Sequence, residues 1–481
     1  MVAKMYVFLL PFRMFSPFEF LQDYLHGLVD YFDSIVILFG LALWILNAGN
    51  LSVPKTDKPL YRTIKYSIWY LNISSLVMAI ITYLTYGNYN GVSPFYGILP
   101  MELYYFQYLL IFLYNIRVFR ILNYSTLIRL ISHTCDVLLV IGYIQILLVF
   151  GIGTSIYDTM AQAIGGFITT DETIKLSLTT TEGAYAGMIT GIFVFPFLYS
   201  RFLYGEKKAL WKIFCWLPPL FYMSSSTAYF LFLIDTFIFL YFYYKMNQKK
   251  AVKLICSTVF IVILAAGAIS ISSDIGYQGG NVSYLIAEKA TDKDNGSMAS
   301  HSVPFFINWG CFTESPISGV GNGLQGYYYH KYFPKELLLV PGTDLGKFYN
   351  EINRYGVLSN GSTFLLGFFS GYGIIGLIVL VNLIIAIMRT RRQHAKHMGM
   401  FNQMFIMGAA AFFFTTIICE VYCLFYAWFV ISMPLMYFRK KEEKAVTAVS
   451  ESVKPADYNN EYEKETLRHG LPDQSAGILQ N

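Results

Sequence analysis

Apolar segments long enough to cross a membrane recur along the whole of this 481-residue chain. A spanning helix needs about 20 mostly apolar residues, and eleven segments approach or exceed that length. They are 31–49, 66–86, 94–115, 134–153, 184–204, 208–224, 226–244, 253–272, 362–388, 401–418 and 420–438. A twelfth stretch, 5–29, contains Arg13, Glu19 and Asp23, which argue against a simple span. We therefore predict an all-α, polytopic transmembrane helix bundle of about 11–12 spans.

The balance of charged and apolar residues excludes a water-soluble protein. Only 14% of the residues are charged and 55% are hydrophobic, whereas soluble chains carry about 25% charged residues. The net charge of +5 does not indicate binding to nucleic acid, because the basic residues follow the pattern expected of membrane topology.

Lysine and arginine residues collect in alternate connections between the predicted spans. Six connections carry 22 of them, near residues 55–65, 117–129, 207–212, 245–253, 389–396 and 439–444. The intervening short connections, 87–93, 154–183 and the turns near 225 and 419, carry only Lys175. Short cytoplasmic loops accumulate positive charge, so we place the basic set in the cytoplasm.

This orientation divides the chain into four parts. Residues 1–272 form an N-terminal bundle of eight spans, and residues 362–438 form the C-terminal spans. Residues 439–481 make a polar cytoplasmic tail, for which we predict disorder. Residues 273–361 form one large extracytoplasmic loop, rich in Gly and Tyr, which is the only segment outside the membrane large enough to hold a site.

The external loop contains a Gly-rich motif between Phe312 and Gly323, in which Gly319, Gly321 and Gly323 alternate after Pro316. Glycine lets the backbone approach a ligand closely. A phosphate cradle of the P-loop type would also need a preceding strand, a following helix and a lysine, and none is evident here. Without further context, a Gly-rich turn is the simpler interpretation.

Three neighbouring segments supply that context on the same face of the membrane. The segments 181–187 and 223–228 each open a span, and 362–366 leads into the Gly-rich run 371–377. Together with the motif, their order and spacing resemble the bacterial O-antigen ligase and Wzy-type polysaccharide polymerase superfamily. The resemblance covers about residues 180–390, roughly two-fifths of the chain.

The sequence departs from the family pattern at two places, and the second, the loss of the ligase His, favours the polymerase branch. Thr227 stands where members often have Arg after the Ser-rich helix start, and Ser362-Thr363 stands where ligases carry a His-Asn pair. The nearest alternative is a ligase that transfers finished glycan to a surface acceptor. From another class, a flippase or other transporter would also be polytopic, but transporters usually contain inverted repeats. A sensor or structural membrane protein is the remaining alternative.

The resemblance implies a GT-C-like membrane glycosyltransferase of the bacterial cytoplasmic membrane. Its substrate would be an oligosaccharide repeat unit on undecaprenyl diphosphate, which it would polymerise at the outer face into a capsule, O-antigen or exopolysaccharide of the cell envelope. The bilayer, a flippase and a chain-length regulator are the further partners implied. We expect no cofactor, no metal and no nucleic acid.

Such chemistry needs groups that bind the diphosphate. Arg354 is our first choice, because a guanidinium binds phosphate with two parallel hydrogen bonds. Lys331 is the second, and Ser362 and Thr363 at a predicted helix start could add hydroxyl donors. We also expect the backbone of Gly319, Gly321 and Gly323 to approach the glycan or its diphosphate.

A base for the acceptor hydroxyl is the other requirement. His301 and His330 lie in the external loop, and Glu182 opens a span on the outer face, so these three are the candidate catalytic residues. Glu314 precedes the Gly-rich motif and either orients it or faces water.

Two further features have other interpretations. Asp235 lies in the middle of a span, too deep for outer-face chemistry, so we expect it to form an interhelical hydrogen bond. His394 and His397 fall in a basic connection without carboxylate or Cys support, and we predict a solvated loop rather than a metal site.

Overall fold

The computed structural model describes residues 1–12, 35–46, 53, 57–88, 93–149, 176–180, 183–223, 225–246, 248, 296–332, 364–418 and 424–436. Within these ranges the chain is helical and contains no strand. The predicted all-α class is therefore confirmed for the part of the chain that the structure describes.

The helices are named here in chain order. They are α1 (Val2–Leu9), α2 (Ile35–Leu46), α3 (Lys58–Tyr86), α4 (Pro94–Ile121), α5 (Tyr124–Val149), α6 (Gly183–Leu203), α7 (Lys207–Tyr222), α8 (Ser226–Met246), α9 (Gly296–Glu314), α10 (Tyr329–Tyr332), α11 (Phe364–Met398), α12 (Phe401–Ile418) and α13 (Phe425–Ile431). Among the described residues, α3, α5, α6, α8 and α11 are long and apolar enough to cross a membrane. The chain is thus a multi-pass membrane protein.

The helices extend beyond the predicted spans at their basic ends. Helix α3 begins at Lys58 rather than at residue 66, and α11 continues to Met398 rather than ending at residue 388. The Lys and Arg residues that we assigned to connections therefore lie largely on helix ends, where long side chains can reach water while the backbone stays hydrogen-bonded. The predicted span 253–272, most of 5–29 and the tail 439–481 lie outside the described residues.

The last predicted span, 420–438, contains only a short helix in its described part. Helix α13 has seven residues and is followed by a 3-10 turn, Met433–Leu435. Seven helical residues rise about 10 Å, a third of the hydrocarbon thickness. Phe425, Phe429 and Val430 are all buried, and α13 packs against α4, α6 and α12. This helix fills the interior of the bundle.

Helix α6 forms the centre of the bundle, and almost all of its residues are buried. It contains a π-helical turn, Thr190–Val194. Small residues let its neighbours approach closely: Gly187 lies against Ala228 and Gly191 against Leu231, both on α8. On its other side, Gly408 of α12 lies against the carbonyl group of Ile192 in the π turn.

Two polar side chains differ from the sequence predictions. His394 is buried in α11, where its Nδ1 lies 2.8 Å from the carbonyl oxygen of Pro434 and its Nε2 lies 3.9 Å from Oδ1 of Asp57. The predicted solvated loop is wrong at this position, because α11 continues through it and packs on the 3-10 turn. The imidazole therefore joins two distant parts of the chain.

The second difference concerns Asp235 of α8. Its side chain is 0% exposed, and neither carboxylate oxygen has a hydrogen-bond partner in the described part of the protein. The interhelical hydrogen bond expected of it is not formed there. Its neighbour Thr236 makes such a bond instead, with 2.7 Å between its Oγ1 and the hydroxyl of Tyr199 on α6.

Candidate functional site

The Gly-rich motif of the predicted loop packs against a break in α11. Gly373 has φ 59° and ψ −154°, which interrupts the helix. The N–H groups of Val320 and Gly321 donate to the carbonyl oxygens of Ser370 and Gly371, both at 2.9 Å. In return, the N–H of Ile374 donates to the carbonyl of Pro316 at 2.9 Å. The motif thus satisfies backbone groups that the broken helix would leave unpaired.

Close packing explains why this motif needs glycine. Gly319, Gly321 and Gly323 have φ values of 71°, 96° and 90°, a region that favours glycine. A Cβ on Gly319 would collide with the backbone of Gly371, and a Cβ on Gly323 would collide with the carbonyl oxygen of Gly97. The backbones of the motif and α11 meet at a distance that no other residue permits.

The N–H groups of the three glycines are all bonded within the protein. Gly319 donates to the carbonyl of Ser315 at 2.8 Å, Gly321 donates to α11, and Gly323 donates to Oε1 of Gln325 at 2.9 Å. In this arrangement they are not free to bind a diphosphate. The role that the geometry supports for these glycines is to hold the motif against α11 and α4.

Buried polar side chains surround the junction between the motif and α11. Gln325 is central: its Nε2 donates to the carbonyl of Gly367 at 2.9 Å, to Ser370 Oγ at 3.1 Å and to Asn322 Oδ1 at 3.3 Å. Ser370 Oγ donates to Asn308 Oδ1 at 2.6 Å, which ties α9 to α11. We refer to Asn308, Asn322, Gln325 and Ser370 with their tyrosine partners as the polar junction.

Tyrosines connect the polar junction to the N-terminal helices. Asn322 Nδ2 donates to the hydroxyl of Tyr105 on α4 at 2.9 Å. The hydroxyl of Tyr372 on α11 lies 3.0 Å from Ser75 Oγ on α3. None of these residues was among the predicted site residues, although Asn322 stands within the Gly-rich motif. A polar residue between glycines, in a segment bordered by apolar helices, was the available signal.

Beside the polar junction lies an apolar cavity of about 500 Å³ between α3, α4, α11, α12 and α13. Tyr105 lines the cavity as well as joining the polar junction. Most of the other lining side chains are aliphatic or aromatic, among them Ile68, Phe112, Leu383, Phe405, Phe412 and Ile431. Such a lining suits a hydrocarbon chain and offers little to a polar solute.

The two ends of the cavity lie toward opposite sides of the membrane in the predicted orientation. Phe364, the first residue of α11, lines the outer end. Arg391 lines the cytoplasmic end, where its Nε donates to Asn402 Oδ1 at 2.9 Å. The cavity therefore extends along much of α11 beside both halves of the broken helix.

Lys331, the second choice for binding diphosphate, is already paired. Its Nζ and the hydroxyl of Tyr332 both donate to Oε2 of Glu314, and the ammonium lies 5.2 Å from the centre of the Tyr332 ring. These hydrogen bonds hold the pKa of Glu314 below its usual value. Glu314 thus orients Lys331 and Tyr332 rather than facing water alone.

The other predicted site residues are placed less fully. His301 lies in α9 and His330 in α10, but their side chains lie outside what the structure describes. Glu182, Arg354, Ser362 and Thr363 lie outside the described residues altogether. Glu182 immediately precedes α6, and Ser362-Thr363 immediately precede Phe364 at the outer end of the cavity. The grouping of these residues in one site remains a prediction.

Comparison with protein families and with curated proteins adds no relative: no family model matches the chain, and no curated protein matches it. The membership in the polymerase superfamily therefore stays a prediction from the motifs.

Proposed function

We propose that this protein polymerises undecaprenyl-diphosphate-linked oligosaccharide repeat units at the outer face of the bacterial cytoplasmic membrane. The observation that carries the proposal is the apolar cavity of about 500 Å³, whose outer end lies at Phe364. A polyprenyl carrier is a long hydrocarbon chain with a charged head at one end. The cavity fits part of such a chain, and the segment preceding Phe364 would meet the head.

The proposed reaction transfers a glycan from its diphosphate to a sugar hydroxyl. The hydroxyl oxygen attacks the anomeric carbon, the bond from that carbon to the diphosphate oxygen breaks, and the diphosphate leaves as an anion. Because the leaving group needs no proton, cationic and hydroxyl donors serve it better than a strong acid. In this proposal Arg354, Ser362 and Thr363 bind the diphosphate.

A base accepts the proton that the attacking hydroxyl loses. Glu182, His301 and His330 are the residues proposed for this step. Lys331, held by Glu314 and Tyr332, is proposed to contact the glycan rather than the diphosphate, because its charge is already balanced by a carboxylate.

Filling the cavity tests whether it holds the carrier lipid. Ala410 lines the cavity on α12, and Ala410→Trp would occupy its volume. Ile378→Trp is the matched control, because Ile378 is exposed on the outside of α11 and does not line the cavity. We expect Ala410→Trp to abolish long polysaccharide chains and Ile378→Trp to leave them normal, at equal membrane abundance. Normal chains in Ala410→Trp would contradict the proposal.

Loss of the gene separates a polymerase from a ligase. A polymerase deletion leaves single repeat units, whereas a ligase deletion leaves long chains on the carrier lipid that do not reach their acceptor.

An Arg354→Ala variant should lose about 3 kcal/mol of transition-state stabilisation, on the order of a hundredfold in rate. Arg354→Lys keeps the charge but loses the planar fork, so we expect it to remain impaired. Near-normal chain length in Arg354→Ala would exclude this arginine from the site.

A further inference from the structure

Basic residues near the cytoplasmic ends of three helices provide a depth scale for the bundle. In the predicted orientation, Lys65 of α3, Arg117 of α4 and Arg389 of α11 lie near the cytoplasmic boundary. A helix rises about 1.5 Å per residue, and the hydrocarbon core is about 30 Å thick. Any residue that contacts a known position on these helices can therefore be assigned a depth.

Contacts of the Gly-rich motif place its innermost part within the hydrocarbon core. The carbonyl of Ile317 accepts a hydrogen bond from the N–H of Ile375, fourteen residues from Arg389, about 21 Å above the cytoplasmic boundary. Gly321 packs on Met78, thirteen residues from Lys65, at about 20 Å, and its N–H donates to the carbonyl of Gly371, eighteen residues from Arg389, at about 27 Å. Ile317 therefore lies about 9 Å below the outer boundary, and Gly321 lies about 3–10 Å below it.

The third helix, α4, shows where the segment returns to the surface. Asn322 binds the hydroxyl of Tyr105, whose Cα lies about 18 Å above the cytoplasmic boundary and whose side chain points toward the outer end of α4. Gly323 packs on Gly97, twenty residues from Arg117, at about 30 Å. Tyr328 contacts the ring of Tyr86, at the outer end of α3. The chain therefore rises from the motif back to the outer boundary.

Helix α9 supplies the inward half of this path. Asn308 contacts Ser370 of α11, and Pro316 contacts Ile374, farther along α11 toward the cytoplasm. Helix α9 thus descends beside α11, and the chain turns back after Pro316. Irregular backbone at this depth needs its polar groups bonded within the protein. The carbonyls of Pro316 and Ile317 at the exposed turn accept hydrogen bonds from α11, and Val320, Asn322 and Leu324 are buried.

The outer side of this segment is apolar and exposed. Trp309 is 56% exposed and Ile317 is 65% exposed, and Phe305 and Phe306 are also exposed. No charged residue occurs in α9 before Glu314. The carbonyl of Ile317 accepts a hydrogen bond from the N–H of Ile375 on α11. The exposed side chain of Ile317 therefore continues the outward apolar face of α11, which is a candidate membrane span.

We propose that Gly296–Tyr332 is a re-entrant hairpin in the outer half of the membrane, with Ile317 among the acyl chains of the outer leaflet and Trp309 at the lipid–water interface. The aromatic side of α9 is then a lipid-binding surface. Tryptophan at the boundary and an aliphatic residue about 8–10 Å deeper match the preferences of these side chains in bilayers.

The ion pair near the turn is consistent with this placement. Side chains on a helix point toward its N-terminus, which is the outer side for α9. Glu314 therefore extends back toward the interface, where Lys331 and Tyr332 of the returning arm bind it. Long charged side chains reach the interface in this way while their helices remain in lipid.

Spin-label accessibility tests the hairpin without requiring any activity. Nitroxides would be attached at Ile317→Cys and Trp309→Cys, in a background free of accessible native cysteines, in liposomes. Ile378→Cys on α11 is the lipid reference and Lys208→Cys on the cytoplasmic side is the water reference. Like the label at 378, the label at 317 should be accessible to oxygen and protected from a water-soluble nickel complex. The label at 309 should show intermediate accessibility to both reagents.

Nickel accessibility at 317 equal to that at 208 would overturn the proposal, and so would protection from both reagents, which would indicate a protein cover.

A second measurement needs no cysteine changes. Lipids brominated on their acyl chains should quench the native protein more than its Trp309→Phe variant, because the variant lacks the tryptophan at the interface. Equal quenching of the two proteins would likewise contradict the placement of Trp309.

Discussion

Two buried polar regions of this bundle are built in opposite ways. The polar junction between the Gly-rich motif and α11 pairs its side chains through hydrogen bonds that join residues as far apart as Tyr105 and Asn322. Asp235, in the middle of α8, is equally buried, yet its two carboxylate oxygens have no partner among the described residues. The first arrangement holds several segments together, whereas the second makes no contribution of that kind.

The contrast shows that burial alone does not tell what a polar group does in a membrane protein. Where every donor has an acceptor, removing one residue leaves its partners unsatisfied, and the loss is large. Where a group has no partner, removing it leaves nothing unsatisfied. The predictions below use this difference, from the largest expected effect to the smallest.

Close packing of the motif on α11 should give the largest effect. Gly319→Ala places a Cβ against the backbone of Gly371, whereas Gly87→Ala, at nearly the same φ, meets nothing within 4 Å. Both positions have a positive φ, so each variant also carries a backbone cost of about 1–3 kcal/mol. We expect Gly319→Ala to lose at least about 2 kcal/mol more than Gly87→Ala in unfolding of the purified protein. Equal losses would mean that the motif is not packed as described.

Removing the centre of the polar junction should have the next largest effect. Gln325→Leu leaves the N–H of Gly323 without its partner and removes a donor from the carbonyl of Gly367 and from Asn322 Oδ1, and we expect it to cost about 2–3 kcal/mol. Gln393→Leu, at an exposed position on α11, is the matched control and should cost about 0.5 kcal/mol or less. Thermal unfolding in detergent measures both, and equal midpoints would remove the contrast between the two regions.

Asp235 should behave in the opposite way. Asp235→Val removes a carboxyl group that has no partner among the described residues, and it should leave stability unchanged or raise it by about 1 kcal/mol. Thr236→Val, one residue along, breaks the hydrogen bond to Tyr199 and should cost about 0.6 kcal/mol. A loss of 2 kcal/mol or more in Asp235→Val would show that another part of the chain supplies a partner.

The exposed ion pair should have the smallest effect. Glu314→Gln removes the charge that binds Lys331, and exposed pairs contribute little to stability, so the melting temperature at neutral pH should be almost unchanged. The bound Lys331 and Tyr332 lower the pKa of Glu314 in the folded protein. Its small contribution is therefore present above the pKa of an unfolded Glu, about 4.3, and is lost as the pH falls below it. The variant should lack this acid-side decrease, and a decrease that persists would assign it to other groups.

The sequence by itself determined the class of the protein and the approximate position of most described spans. The prediction for 401–418 matches α12 at both ends, and that for 226–244 lies within α8. These properties follow from the length of local apolar runs, because a bilayer requires about 20 such residues whatever the rest of the chain does. The predicted spans stopped short of the true helix ends outside the membrane. Lys and Arg are good helix formers, so a helix can continue past the end of its apolar run.

Only the tertiary structure decided how the distant segments meet. It shows α13 as a short interior helix rather than a complete span, and His394 as buried rather than solvated. It also shows that the alternating glycines of the motif lie against α11, whereas the sequence alone indicated a Gly-rich turn or a backbone that approaches a ligand. The reason is physical: a glycine pattern states that something approaches the backbone closely, but its neighbour can be hundreds of residues away, as Gly323 and Gly97 are.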